Sequence, residues 1–188
     1  MKEFPIIETE SLVLRKLEIT DFENHFDYVT DEMVAKQFLF HHTKESCKKR
    51  LEEIIESYNR ENKPFIWGIA FKENNELIGI ISADTVSFNN KNFSIACGII
   101  EKYRKKGYGF QATVALVDYF FKHLDMYRVQ LGHRVGNMGT QRIVEKMGAK
   151  FEGIARSSKF YEGEFKDRKI YSILKPEWEE FIKKQKGE

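Results

Sequence analysis

Phe93-Ser94-Ile95-Ala96-Cys97-Gly98-Ile99-Ile100-Glu101, then Tyr103-Arg104-Lys105-Lys106-Gly107-Tyr108-Gly109, then Phe110-Gln111-Ala112-Thr113-Val114-Ala115-Leu116-Val117-Asp118-Tyr119-Phe120-Phe121, is the stretch whose reading decides the fold. It reads as a strand, a basic turn with two glycines, and a helix. Gly107 and Gly109 have no Cβ, so the backbone there can curl and approach a ligand closely. A helix opening straight out of such a turn aims its unpaired N–H groups at one point. Those donors and the positive end of the helix dipole favour a phosphate. Arg104, Lys105 and Lys106 add positive charge beside it. The local prediction is a phosphate-bearing ligand held mostly by backbone. The turn is not a Walker P-loop, because no Gly-Lys-Ser/Thr closes it, and Gly109 is not followed by the third glycine of a dinucleotide turn.

The bounds on the rest are broad. A chain of 188 residues suits a single domain, 1–188, with a real core. The net charge of +2 gives no general argument for nucleic acid or a membrane surface. The basic cluster at 104–106 is accounted for by phosphate. Of the two cysteines, Cys47 falls in a charged helix and Cys97 in a core strand, so no disulfide framework is expected. That fits a reducing compartment. The first residues lack the apolar run of a signal peptide and no segment is long enough to span a bilayer, so cytoplasmic residence is expected.

Working outward, the segment 12–17 has strand propensity. Thr20 is expected to cap a helix with Phe22, Phe26 and Val29 on one face. A short helix is predicted over 31–40 and a longer one from Thr43 to about 62–64, with Leu51, Ile54, Ile55 and Tyr58 at helical spacing. Strands at 65–71 and 76–82 form a hairpin about Asn74 and Asn75, and a turn at 89–92 leads into the opening strand. Three antiparallel strands in a row result. After the helix, 128–134 is a strand, parallel to 93–101 because a helical crossover joins them. A helix over 137–147 ends at Gly148. Strands at 150–156 and 169–174 and a terminal helix opened by Pro176 complete the chain. The fold class is mixed α/β (α+β). Its mostly antiparallel sheet of about seven strands is flanked by helices and splays at the parallel pair.

These features in this order resemble the GNAT superfamily of N-acetyltransferases, and within it the RimJ/RimL-like branch. The pattern Arg104-x-x-Gly107-x-Gly109 resembles its acetyl-coenzyme A signature. Ile7 to Arg15 with Asp21 resembles the branch's first strand and helix. Tyr119, Phe120 and Phe121 resemble the end of its next helix. Asn137-x-x-Thr140 followed by Glu145-Lys146-Met147-Gly148-Ala149-Lys150-Phe151-Glu152-Gly153 resembles a run of the same branch, which Trp178 closes.

The resemblance implies direct transfer of acetyl from acetyl-CoA to an amine, with no metal. It implies that Ile99, Ile100 and Glu101 pair their backbone with the pantetheine arm. The backbone of Arg104, Lys105, Lys106, Gly107, Tyr108 and Gly109 would hold the pyrophosphate, with Phe110 just inside the helix. Asn137 would bond the pantetheine side, or cap its own helix, or both. Much of the superfamily has a tyrosine where this chain has Val144, proposed to protonate the thiolate. Thr140 stands where the branch has a serine. Its hydroxyl would serve the sulfur as the catalytic group, unless it bonds back to a carbonyl of its own helix. No general base is legible; Asp84, Glu101, Glu152, His133 or water are the candidates. His41 and His42 lack further ligands at suitable spacing for a metal. Ala96-Cys97, Gln111 and Ala149 depart from the pattern, which bears on packing and the acceptor pocket.

The acceptor implied by the branch is a protein or peptide N-terminal amine of ribosomal-protein type. The alternative within enzymes is a small amine: an aminoglycoside-like drug, a polyamine or an amino-acid derivative. A cationic drug would want an acidic pocket, for which Glu8, Glu10, Asp27, Asp31, Glu32 and Asp84 are available. A different class is a non-catalytic acyl-CoA-binding protein. Nucleic-acid and membrane partners are not expected. A homodimer is compatible with the resemblance, although no dimer seam is legible.

Overall fold

The computed structural model describes residues 4–36, 43–60 and 65–187. Eight strands follow one another in the sheet as β1 (Ile7–Glu8), β2 (Leu12–Arg15), β3 (Ile66–Phe71), β4 (Leu77–Ser87), β5 (Asn92–Ile99), β6 (Arg128–Arg134), β8 (Glu164–Leu174) and β7 (Lys150–Tyr161). The helices are α1 (Phe22–Thr30), α2 (Glu32–Ala35), α3 (Lys44–Ser57), α4 (Tyr108–His123), α5 (Met138–Lys146) and α6 (Lys175–Lys186). The β5–β6 pair is parallel, as the α4 crossover requires, and its register covers Asn92–Ser94 against Arg128–Gln130. The β1–β2, β2–β3, β3–β4, β6–β8 and β7–β8 pairs are antiparallel.

Contacts group the chain into two units, 1–82 with 96–115 and 83–95 with 116–188. In the first, Leu17, Leu51, Tyr58 and Leu77 form a buried cluster, flanked by Phe22, Ile54, Ile55 and Ile66. The helical spacing of Leu51, Ile54, Ile55 and Tyr58 thus packs one face of α3 inward. Each such side chain, fully buried, stabilises by about 1.5–3 kcal/mol. Tyr58 is satisfied as well as buried: its hydroxyl donates to the Ile66 carbonyl at 2.9 Å and accepts from the Leu17 N–H at 3.3 Å. Thr43 caps α3, its side chain accepting from the Ser46 N–H.

Thr20 does not cap α1. Residues Ile19–Asp21 form a 3-10 turn, and α1 starts at Phe22 without a side-chain cap. The Asp21 carboxylate is taken by Arg15, at 2.8 Å from two of its nitrogens, and by the Glu18 N–H at 2.8 Å. Arg15 also donates to the Asn75 side chain at 2.6 Å and to the Lys16 and Asn75 carbonyls. Every direction of a buried guanidinium therefore meets an acceptor, which is how burial of such a charge is offset.

In the second unit Phe93 stacks on Phe120, ring centroids 4.4 Å apart, and meets Phe121 edge-on at 5.8 Å. Trp178, 1% exposed, lies 6.2 Å from Phe121 and donates its indole N–H to Asp118 at 3.1 Å. The aromatic ends of β5 and α4 and the Trp178 of α6 thus meet as one core.

Several boundaries differ from the sequence expectation. Phe38 and Leu39, expected on the second helix, and Asn62, Lys63 and Pro64, expected to end the third, lie outside the described residues, as do His41 and His42. Strand β5 stops at Ile99, and Glu101–Tyr103 form a 3-10 turn. The short β1 is the eighth strand, where about seven were expected. Strands β7 and β8 are longer than expected, because β7 continues past the bulged segment between Ala155 and Lys159 and pairs as far as Tyr161 opposite Glu164. A cross-strand partner, which local sequence does not reveal, carries the strand through residues of weak propensity.

Candidate active site

The turn predicted to bind phosphate is built by backbone. Past the 3-10 turn, Lys105 has φ +62° and Gly107 φ +89°, and α4 starts at Tyr108. The Gln111 N–H bonds the Gly107 carbonyl at 3.0 Å, so the helix ladder begins there. The N–H groups of a helix's first turn have no intrahelical acceptor. A Cβ built on Gly107 would meet nothing within 4 Å. The glycine is needed for its left-handed φ, and the space beside it is open. Tyr103 and Tyr108 hold the turn from one side, each meeting the Phe71 ring edge-on, at 5.5 Å and 5.2 Å. The Tyr103 hydroxyl bonds Glu76. Lys105 and Lys106 are exposed. The Lys106 ammonium lies 5.8 Å from the Tyr103 ring. Open backbone, a helix start and exposed cations fit a pyrophosphate.

Arg104 behaves otherwise. Its Nε donates to the Ile99 carbonyl at 2.8 Å, one terminal nitrogen pairs with Asp31, and the other lies 3.3 Å from the Met33 sulfur. The guanidinium is committed within the protein, where sequence reasoning counted it among charges beside the phosphate. The backbone of 99–101 is also partly used. Ile100 donates to the Ile78 carbonyl and accepts from the Tyr103 N–H, both at 2.9 Å, and the Glu101 carbonyl accepts from the Arg104 N–H at 3.0 Å.

On α5, in the second unit, Asn137 is the N-cap, its side-chain oxygen accepting the Thr140 N–H at 3.2 Å. The capping expectation for Asn137 is met. Thr140 is half-buried, and its hydroxyl makes no hydrogen bond among the described residues. It sits in the first turn of α5, and the Asn137 carbonyl three residues back accepts the Gln141 N–H at 3.1 Å. Thr113, in the middle of α4, shows the contrast: its hydroxyl donates to the Gly109 carbonyl at 2.7 Å. Val144 is 1% exposed and packs in the core.

The candidate bases separate. Glu152 is gripped by Arg128, 2.6 Å at each oxygen, and accepts from the Ser172 hydroxyl at 2.7 Å. Those bonds hold its carboxyl down at about 2, far too acidic to take a proton from an amine. Asp84 and Glu101 are exposed. His133 is 3% exposed; Nδ1 lies 3.0 Å from the Arg134 carbonyl, Nε2 has no partner among the described residues, and the ring stacks on Tyr171 at 5.6 Å. A donating Nδ1–H leaves Nε2 as the basic nitrogen.

Burial pushes the Cys97 thiol up to about 12, so it is inert. Gln111 accepts from the Ser11 hydroxyl at 2.9 Å. Among the described residues no group of three or more His, Cys, Asp or Glu is placed to hold a metal ion. Likewise, no described helix is long and apolar enough to cross a membrane. Of the acidic residues available for a cationic pocket, Glu8 pairs with Lys72 at 2.7 Å, Glu32 with Lys36 at 2.6 Å, and Asp31 with Arg104.

A family model described as an acetyltransferase (GNAT) domain matches residues 11–150. The chain belongs to the GNAT family and is an N-acetyltransferase, of a class that takes acetyl from acetyl-CoA. The uncharacterized N-acetyltransferase YoaA of Bacillus subtilis is 27% identical over 175 residues, spanning 92% of this chain and 98% of YoaA. The [ribosomal protein uS5]-alanine N-acetyltransferase of Escherichia coli is 21% identical over 128 residues, 66% of this chain and 65% of that protein. Among solved structures, RimL, a ribosomal L7/L12 alpha-N-protein acetyltransferase in complex with coenzyme A, superposes with a TM-score of 0.75 at 19% identity. It covers 90% of this chain and 98% of that one. The RimJ/RimL-like reading of the motifs agrees with these relatives.

Proposed function

We propose that this protein is a cytoplasmic, single-domain N-acetyltransferase that moves acetyl from acetyl-CoA to the N-terminal amine of a protein or peptide. The observation that carries the cofactor assignment is the open, left-handed backbone at Gly107 beside the start of α4. The backbone of 104–109 holds the pyrophosphate there, with Lys105 and Lys106 contributing charge and Phe110 just inside the helix. Ile99, Ile100 and Glu101 face the pantetheine arm through the backbone positions not already bonded. Asn137, besides capping α5, presents Thr140.

The amine nitrogen attacks the thioester carbonyl, the C–S bond breaks, the nitrogen loses a proton and the sulfur gains one. Holding both reactants in near-attack geometry lowers such a barrier by roughly 7–11 kcal/mol in the best oriented systems. The Thr140 hydroxyl, left out of its helix's bonding, donates the proton to sulfur. Water, Asp84, Glu101 or His133 receives the amine proton; Glu152 is too acidic.

The E. coli relative acts on ribosomal protein uS5 and RimL on L7/L12, which supports a protein N-terminus as acceptor. The pairing of Glu8, Glu32 and Asp31 with cations weighs against a pocket for a polycationic drug. The test is thiol release from acetyl-CoA with N-terminal peptides, an aminoglycoside and spermidine as acceptors. Release dependent on a peptide supports the proposal. Release only with a small amine moves the assignment to the small-molecule class. Tight acetyl-CoA binding with no release from any acceptor favours a non-catalytic acyl-CoA-binding protein.

A further inference from the structure

The Arg104 guanidinium and the Asp31 carboxylate form an ion pair across 73 residues of sequence, with side chains 24% and 4% exposed. Asp31 is not a passing surface acid. The same oxygen that meets Arg104 accepts the Met33 and Val34 N–H groups at 3.0 Å and 3.3 Å, and so caps α2. Arg104 in turn bonds the Ile99 carbonyl at the end of β5. One guanidinium therefore joins the last residue of β5, the first residue of the phosphate turn and the start of α2. The helix preceding that junction is seated tightly on the same strand. A Cβ at Gly98 would lie 2.5 Å from the Tyr28 hydroxyl. Burial raises the Tyr28 hydroxyl well above its usual range, so it stays neutral beside the pair.

We propose that Asp31 is a positioning residue for the acetyl-CoA turn. It draws the Arg104 guanidinium away from the phosphate site and against Ile99, so the pair fixes where the turn leaves β5. The charge met by the pyrophosphate comes from N–H groups and from Lys105 and Lys106, not from Arg104. This inference rests on the acetyl-CoA reading of the turn.

The two readings of Arg104 give opposite results at Asp31. If Arg104 held phosphate directly, releasing it from Asp31 would leave acetyl-CoA affinity unchanged or raise it. If the pair positions the turn, losing either member loosens the same geometry. The experiment is a double-mutant cycle of Asp31→Asn, Arg104→Gln and both together, read by calorimetric acetyl-CoA affinity and by steady-state kinetics. Asparagine is itself a good N-cap, so Asp31→Asn keeps the start of α2 and removes only the charge partner. The expected result is that each single change weakens acetyl-CoA binding about tenfold and the double change weakens it no further, as coupled sites do. The KM for acetyl-CoA rises while kcat at saturation and the acceptor KM hold, a split that general loss of folding would not give.

Parental or tighter affinity in Asp31→Asn overturns the proposal, whatever Arg104→Gln does. Additive losses in the double variant also overturn it. Gly107→Val separates this outcome from failure of the site itself: unaltered acetyl-CoA affinity in that variant removes the turn from cofactor binding altogether.

Discussion

The side-chain oxygen of Asn137 accepts the backbone N–H of Thr140 at 3.2 Å, and this cap holds Thr140 in the first turn of α5 with a hydroxyl that makes no hydrogen bond among the described residues. A threonine deeper in a helix spends its hydroxyl on the carbonyl one turn back, as Thr113 does. Thr140→Ala is expected to slow acetyl transfer about a hundredfold, the lower end of what a positioned proton donor contributes. Acetyl-CoA affinity should stay near the parental value, and Thr140→Ser should restore most of the rate. Single-turnover rates equal in alanine variant and parent would remove Thr140 from the chemistry. Asn137→Ala should cost about 1 kcal/mol of stability as a lost cap, measured by denaturant unfolding.

Gly107 sits at φ +89° with open space where a side chain would go. Gly107→Ala should therefore cost roughly 1–2 kcal/mol through backbone strain and nothing through collision with the protein. Gly107→Val adds bulk in the space proposed for pyrophosphate. Its acetyl-CoA affinity should fall more than tenfold, well beyond the loss in Gly107→Ala, when both are titrated calorimetrically.

The Arg15–Asp21 pair has side chains 9% and 5% exposed. Asp21→Asn leaves a buried guanidinium without its counter-charge and should destabilise by about 3–5 kcal/mol. Replacing both residues with apolar side chains of similar volume should recover much of that loss. Equilibrium denaturation of the single and double variants measures the difference.

His25 is 1% exposed, and its Nδ1 has no hydrogen-bond partner among the described residues. Burial, aided by the nearby Arg50 charge, lowers its pKa from 6.5 to about 4. The folded protein holds the ring neutral where the unfolded chain protonates it. Stability from this group is therefore complete above about pH 6.5 and declines as pH falls to about 4, by an amount on the order of 3 kcal/mol. His25→Leu should flatten that part of the profile of unfolding free energy against pH. A parental slope in the variant would place the acid sensitivity elsewhere.

Much of the architecture was legible because the rules that build it act over a few residues. The glycine and basic residues of 103–109 announced a strand, a turn and a helix. Thr43 and Asn137 announced helix starts, and Leu51, Ile54, Ile55 and Tyr58 a buried face. Thr20 misled, because Arg15, six residues before the neighbouring Asp21, had claimed its carboxylate and the first turn wound as 3-10 instead. Strand ends misled for a similar reason, since β7 and β8 run as far as each finds a partner.

The sequence by itself determined most of the elements, their order and the glycine turn before α4, because helical period, caps and left-handed glycines depend on neighbours in the chain. Only the tertiary structure decided which charges remain available. Arg104 is spent on Asp31, and Glu152 on Arg128 and Ser172. The physical reason is one of range. A backbone conformation is set within a turn or two, whereas the state of a charged side chain depends on partners that folding brings from far along the chain.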